Sequence, residues 1–167
     1  MISDISIRFA EISDLPSIVD IYNQAIRSRK ATGDMTEFTI EQRIEWFKKF
    51  DTENYPIYVA EQNNNIVAYA TLSPYRGGRA AMRKIGEISF FIDYSFHNLG
   101  IGTALVKHII TDCKRLGKEF LVALLLDINP ASIFLLKKFG FKEWGRLPKV
   151  IDFENSKCDH LIYGRKL

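Results

Sequence analysis

The chain has 167 residues and a mass of 19.2 kDa, which fits one domain spanning 1–167. Hydrophobic residues make up 47% of it and charged residues 26%, so a disordered or fibrous chain is excluded. The net charge of +3, with a pI near 8.8 and no long run of Lys or Arg, is too weak to argue for a nucleic-acid partner.

The elements follow in chain order. Met1-Ile2-Ser3-Asp4 has no basic segment followed by an apolar stretch, so no signal peptide is expected. Residues 5–10 alternate apolar and polar, as a short strand does. Ser13-Asp14-Leu15-Pro16 combines a capping oxygen with a first-turn proline and opens a helix. Leu15, Ile18, Val19, Tyr22 and Ile26 share its apolar face. A polar loop covers 27–37. Thr39-Ile40-Glu41-Gln42 is a capping-box pattern that opens a second helix carrying Ile40, Ile44 and Phe47.

Residues 57–61 and 66–72 read as strands joined by Gln62-Asn63-Asn64-Asn65, a hairpin. Residues 73–86 hold Gly77, Gly78 and three arginines and read as a mobile loop. Another strand covers 87–93. Residues 100–116 are helical in pattern, with Leu105, Ile109 and Cys113 on one face and Gly117 placed to end it. Residues 120–126 form a near-continuous apolar run, as in a strand covered on both faces. That run is far short of the roughly 20 residues a membrane helix needs. Asn129-Pro130 opens a helix that ends at Gly140, and two strands follow at 141–147 and 159–167. The order β-α-α-β-β-β-α-β-α-β-β gives a mixed sheet with helices packed on it. Cys113 and Cys158 lie in separate segments without metal-ligand spacing, and a reducing cytoplasm is the simpler setting for them.

The chemistry is concentrated in Ile92-Asp93-Tyr94-Ser95-Phe96-His97-Asn98-Leu99-Gly100-Ile101-Gly102-Thr103. Here a strand makes a tight turn into a helix that begins at the glycines. A helix start presents unpaired N–H groups and partial positive charge, and glycines let an anion approach the backbone, which together suit a pyrophosphate. A tight turn with packing glycines is the other reading. The dinucleotide fingerprint needs Gly or Ala where Leu105 stands, and the Gly-Lys-Ser/Thr of a P-loop is absent.

His97-Asn98-Leu99-Gly100-Ile101-Gly102 resembles motif A of the GNAT acetyltransferase superfamily, with His97 where Gln or Arg is usual. Asn129-Pro130-Ala131-Ser132-Ile133-Phe134-Leu135, followed by Gly140-Phe141, resembles that superfamily's motif B. Glu87-Ile88-Ser89-Phe90-Phe91-Ile92-Asp93 is similar to a strand of the phosphinothricin (methionine sulfoximine/sulfone) acetyltransferase-like branch. Ile21-Tyr22-Asn23, Ala31-Thr32, Trp46-Phe47 and Ser73-Pro74-Tyr75-Arg76 also resemble that branch, whereas residues 154–158 depart from it.

The resemblance implies an α/β fold with a central mixed, mostly antiparallel sheet, splayed middle strands and helices on both faces. It implies transfer of an acetyl group from acetyl-CoA to the amine of a small acceptor, an amino acid or an analogue such as phosphinothricin or methionine sulfoximine. Acetyl-CoA would be held by Phe90, Phe91, Ile92, His97, Asn98, Leu99, Gly100, Ile101, Gly102, Thr103, Asn129 and Ser132. The acceptor would meet Thr32, Tyr75, Arg76 and Glu87. Because an alkyl ammonium has a pKa near ~10, a positioned carboxylate must help remove its proton, and Glu87 is the candidate. Leu136 stands where many members place a catalytic Tyr, which leaves Tyr163 or water as the acid, or unaided departure of the thiolate. A homodimer in the cytoplasm is implied, with no metal, nucleic acid or membrane partner. Acetylation of a protein N-terminus or a polyamine, and a CoA-binding module without turnover, are the rival readings.

Overall fold

The computed structural model describes residues 5–167, and Met1–Asp4, the stretch read as lacking a leader signal, lies outside the described residues. In chain order come β1 (Ser6–Phe9), α1 (Leu15–Ser28), α2 (Ile40–Phe47), β2 (Ile57–Gln62), β3 (Asn65–Pro74) and β4 (Ile85–Ile92). These are followed by α3 (Ile101–Asp112), β5 (Phe120–Leu126), α4 (Pro130–Lys138), β6 (Lys142–Asp152) and β7 (Lys157–Lys166). The strands form one sheet in the order β1-β2-β3-β4-β5-β7-β6. Every neighbouring pair is antiparallel except β4 and β5.

The helices form because their apolar residues recur on one face, and each buries that face on the sheet. Ile18 and Ile21 of α1, with Trp46 and Phe47 of α2, pack on Ile57, Val59, Tyr69 and Phe91. On the opposite face, Leu105, Val106 and Ile109 of α3 and Leu136 of α4 join Ala68, Ala70, Ile88, Leu121 and Leu161. The mixed sheet with helices on both faces is therefore as the sequence implied. The Thr39 capping box also forms, with the Gln42 N–H donating to Thr39 Oγ1 and the Thr39 N–H donating to Gln42 Oε1.

Three boundaries differ from the sequence reading. The α3 helix stops at Asp112 instead of reaching 116, and residues beyond it turn toward Gly117, whose φ is +63°. The segment 73–86 is not all loop, because β3 runs to Pro74 and pairs it with Gly86 of β4. What remains between the strands holds a short 3-10 turn at Ala80–Met82. The last two strands make a longer hairpin than expected, since Lys149 at φ +52° and a register irregularity between Leu147 and Ile151 break the alternation. Pro148 is tolerated there because β6 is an edge strand.

The feature that makes the site is the parting of β4 from β5. Only Ile85–Phe120, Gly86–Leu121 and Glu87–Val122 pair across them. Beyond that point each strand is tied outward. The Asp93 N–H, just past β4, donates to the Val67 carbonyl at 2.9 Å, and Gln24 Nε2 donates to Asp93 Oδ2 at 2.9 Å. The Asp127 N–H, just past β5, donates to the Asp159 carbonyl at 3.1 Å, and the Asp159 N–H donates back to Asp127 Oδ1 at 2.9 Å. Arg146 Nη1 secures Asp159 at 2.7 Å, which locks the β6–β7 hairpin onto the same end.

Gly86 sits where the strands are still joined. A Cβ there would come within 2.7 Å of Leu72 Cδ1 and 3.3 Å of Leu121 Cδ2, both in fully buried side chains. Gly86→Val is expected to destabilise the fold by about 1–3 kcal/mol through overpacking, measurable as a lowered midpoint in urea unfolding.

Candidate active site

The parted strands enclose a cleft of about 810 Å³. Ile88–Ile92 of β4 form one wall and Ala123–Leu125 of β5 the other. The turn into α3 closes one end through His97, Asn98 and Gly100–Thr103, and Asn129, Ser132, Leu135 and Leu136 close the side of α4. The last part of α1 and the residues after it contribute Ala25, Ser28, Lys30 and Ala31.

The turn is built for an anion. Asn98 and Gly100 adopt φ of +63° and +81°, and the chain reverses into α3 there. Among the described residues, the backbone N–H groups of Gly100, Ile101, Gly102 and Thr103 donate to no protein acceptor. Four free donors at the positive end of a helix suit an anion such as a phosphate. The two glycines have separate reasons. Gly100 is needed for its left-handed backbone, and space is open around it. At Gly102 a Cβ would meet Leu135 Cδ2 at 2.9 Å and Ile92 Cδ1 at 3.0 Å, so this glycine lets α3 lie close to β4 and α4.

The residues named from sequence as acetyl-CoA contacts mostly converge. Phe90, Phe91, Ile92, His97, Asn98, Gly100, Ile101, Gly102, Thr103, Asn129 and Ser132 all line the cleft. Leu99 lies outside the lining, with 48% of its surface exposed. The His97 ring turns back from the cradle, with Nε2 at 3.0 Å from the Ile92 carbonyl and the ring 4.5 Å from that of Tyr94. Asn129 Oδ1 accepts the Ser132 N–H at 3.2 Å, so the asparagine caps α4 while lining the cleft.

The proposed acceptor residues are more scattered. Glu87 lies on β4 with Ser89 and Phe91 on the same strand face, below the fork and outside the cleft lining, which on this strand begins at Ile88. Its carboxylate is half-buried, burial raises its pKa above the ordinary glutamate value, and among the described residues it has no hydrogen-bond or ion-pair partner. Thr32 is outside the lining and bonds the Tyr22 hydroxyl at 2.8 Å. Tyr75 and Arg76 lie on the segment after β3 and do not line the cleft; Arg76 is exposed, with φ of +53°. Tyr163 is 3% exposed and packs in the core on the α3 side of the sheet, away from the cleft lining. The sequence did not point to Ala25, Ser28 and Lys30, which line the cleft where Gln24 of α1 bonds Asp93 and Tyr94 just past β4. Among the described residues no group of three His, Cys, Asp or Glu side chains could hold a metal ion.

A helix-start anion cradle opening into an apolar slot with a free strand edge suits an acyl thioester on a long phosphate-bearing arm. The fold and the site thus define an acyl-CoA-dependent transferase. The Acetyltransferase (GNAT) family matches residues 15–141, and the chain belongs to that family. YwnH of Bacillus subtilis (strain 168) is 37% identical over 163 residues, covering 97% of this chain and 99% of the relative. The L-methionine sulfoximine/L-methionine sulfone acetyltransferase of Pseudomonas aeruginosa PAO1 is 31% identical over 149 residues, covering 87% of this chain and 84% of that protein. The crystal structure of a GNAT superfamily phosphinothricin acetyltransferase from Sinorhizobium meliloti in complex with AcCoA superposes with a TM-score of 0.91. It is 27% identical and covers 98% of this chain and 88% of that one. The protein is an acyltransferase with acetyl-CoA as its co-substrate, and it sits in the branch that holds these relatives.

Gly102→Val should cost about 1–3 kcal/mol in folding and weaken acetyl-CoA binding by closing the cradle against Leu135. Calorimetric titration with acetyl-CoA checks this, and unchanged affinity would detach the turn from the ligand.

Proposed function

We propose that the enzyme acetylates the primary amine of a small amino acid or close analogue, of the phosphinothricin or methionine sulfoximine kind. The observation that carries this is Glu87, a half-buried carboxylate without a protein partner on the strand that walls the cleft. The substrates named for the Pseudomonas and Sinorhizobium relatives support the acceptor class. Bound acetyl-CoA supplies the activated acyl carbonyl. The cradle at Gly100–Thr103 holds its phosphates, and the β4 edge at Phe90–Ile92, whose Ile92 carbonyl the His97 ring now meets, receives the arm's amides as an added strand would. A backbone N–H near Phe91 or Ile92 polarises the acyl oxygen, a contribution worth roughly 3–4 kcal/mol where such donors have been removed. Glu87, directly or through water, takes the proton of the attacking amine. The thiolate then leaves, helped by the low basicity of a thiol relative to the amine. The buried free thiols of Cys113 and Cys158 support a reducing, cytoplasmic setting.

An amine panel with thiol-release detection tests the acceptor class. Turnover confined to amino acids and analogues supports it, and turnover only with peptides or polyamines overturns it. Glu87→Gln should lower kcat by roughly 10²–10⁴-fold with little change in the acetyl-CoA KM. The base works only when ionised, and burial raises its pKa. Wild-type kcat/KM should therefore fall, as pH drops, through an inflection above the usual glutamate value, and that limb should vanish in Glu87→Gln.

We also infer a homodimer. No helix of the described chain covers β5, β7 and β6 on the α1 side, where Leu124 and Ile162 are paired neighbours. Trp144 lies over Gly164 on that face with 52% of its surface exposed, and Leu147, paired with His160, is 41% exposed. Such a strip suits burial against a second copy. Trp144→Glu is expected to shift the species seen by light scattering from dimer to monomer, and a wild-type monomer would remove the inference.

A further inference from the structure

The loop from Arg29 to Phe38 is stitched to α1 at several points. The buried Asn23 donates from Nδ2 to the Phe38 carbonyl at 2.8 Å and accepts the Phe38 N–H at 2.9 Å. Arg27 Nη1 bonds Glu37 Oε2 at 2.8 Å. These contacts and the Thr39 capping box already fix the loop. One more contact set is left over. The Tyr22 hydroxyl donates to Asp34 Oδ2 and lies 2.8 Å from Thr32 Oγ1, and the Asp34 N–H donates to Thr32 Oγ1 at 3.2 Å. This little chain aims the Asp34 carboxylate inward and half-buries it.

Asp34, Tyr22 and Thr32 do not themselves line the cleft, and they adjoin it through Phe91 and the start of the loop. The Tyr22 ring stands edge-on to Phe91, with centroids 5.0 Å apart, and Phe91 walls the cleft. Ser28, Lys30 and Ala31, just before the loop turns, line the same cleft. The nearby cation does not neutralise Asp34. The Arg43 guanidinium stacks on Trp46, Phe38 and Tyr22 at 3.8, 5.0 and 5.1 Å and makes no ion pair among the described residues. Burial, and then the Asp34 bond, push the Tyr22 hydroxyl up to about 12, so it remains a donor. Asp34 Oδ1 is left without a protein partner among the described residues. A half-buried carboxylate with one oxygen oriented by a phenol and the other free is a receptor for a cation.

We propose that Asp34 is the acceptor-recognition residue that binds the incoming ammonium, with Tyr22 and Thr32 as its positioning residues. This rests on the amine-acceptor reading above. It assigns arrival of the charged amine to Asp34 and leaves removal of its proton to Glu87. Asp34→Asn separates charge from geometry, because the asparagine oxygen still accepts the Tyr22 hydroxyl. With L-methionine sulfoximine as the varied substrate, Asp34→Asn should raise the acceptor KM roughly tenfold or more, the loss of one charge-assisted hydrogen bond. The acetyl-CoA KM and Tm should stay at wild-type values. Tyr22→Phe should raise the acceptor KM by a smaller factor in the same direction. A wild-type acceptor KM in Asp34→Asn overturns the proposal, as does a joint rise of both KM values with a lowered Tm, the mark of a structural role. If the wild type acetylates other amines but not methionine sulfoximine, the amino-acid-analogue reading fails alone, and the same comparison is made on the amine it takes. If it acetylates none, both readings fall.

Discussion

Everything in the site depends on where the β4–β5 ladder ends. Parallel pairing stops after Glu87 and Val122, and from there the two strands are held by partners on opposite sides, Val67 and Gln24 for one and Asp159 for the other. Parting two central strands exposes backbone donors and acceptors that a continuous sheet would satisfy, and such groups are costly to leave dry. The cleft therefore selects a ligand with amides of its own, or water until one arrives. The same parting puts the start of α3 at the mouth of the slot. One geometric event thus leaves a strand edge open and sets four free N–H groups at its end, an arrangement that suits an amide-bearing, phosphate-bearing arm.

The slot's lining explains how far the chain relies on backbone rather than side chains. Ile88, Phe90, Ala123, Leu125 and Leu136 are apolar, and Leu136 is 1% exposed. No hydroxyl stands at that position to protonate a leaving sulfur, and the Tyr163 ring packs in the core instead of the cleft. A thiol is acidic enough, near ~8.5, that its anion can depart without an acid at neutral pH, whereas an amine near ~10 cannot attack until it loses its proton. The demand for a positioned titratable group thus falls on the amine side, which is where the half-buried carboxylates lie.

What could be read from sequence was what depends on near neighbours. The turn from His97 to Thr103, the Thr39 capping box and the start of α4 at Asn129 each use residues a few positions apart, and all three formed as read. The reason for Gly102 was hidden, because its close contacts are Leu135 and Ile92 on other elements. The extent of β6 and β7 was hidden for a related reason. Pro148 and Lys149 interrupt the alternation that marks a strand, and only pairing across the hairpin carries the strand through them. Thr32 was visible by resemblance, yet Asp34 was not. Its meaning comes from Tyr22, which is distant in sequence, and from the Phe91 ring beyond it.

The sheet also divides the electrostatics. On the α3 side the field at the fork is that of a helix start, favourable to phosphate. On the α1 side stand the carboxylates Glu87 and Asp34, with Lys30 at the cleft and Arg43 held on aromatic rings. On this reading an anionic co-substrate and a cationic acceptor approach opposite faces of one sheet and meet at the fork. Separating them keeps the Glu87 and Asp34 carboxylates away from the phosphates they would repel. It also lets burial raise the affinity of Glu87 for a proton without weakening the cradle. The parted strands therefore bring together two substrates whose charges would otherwise make a single shared pocket unfavourable for both.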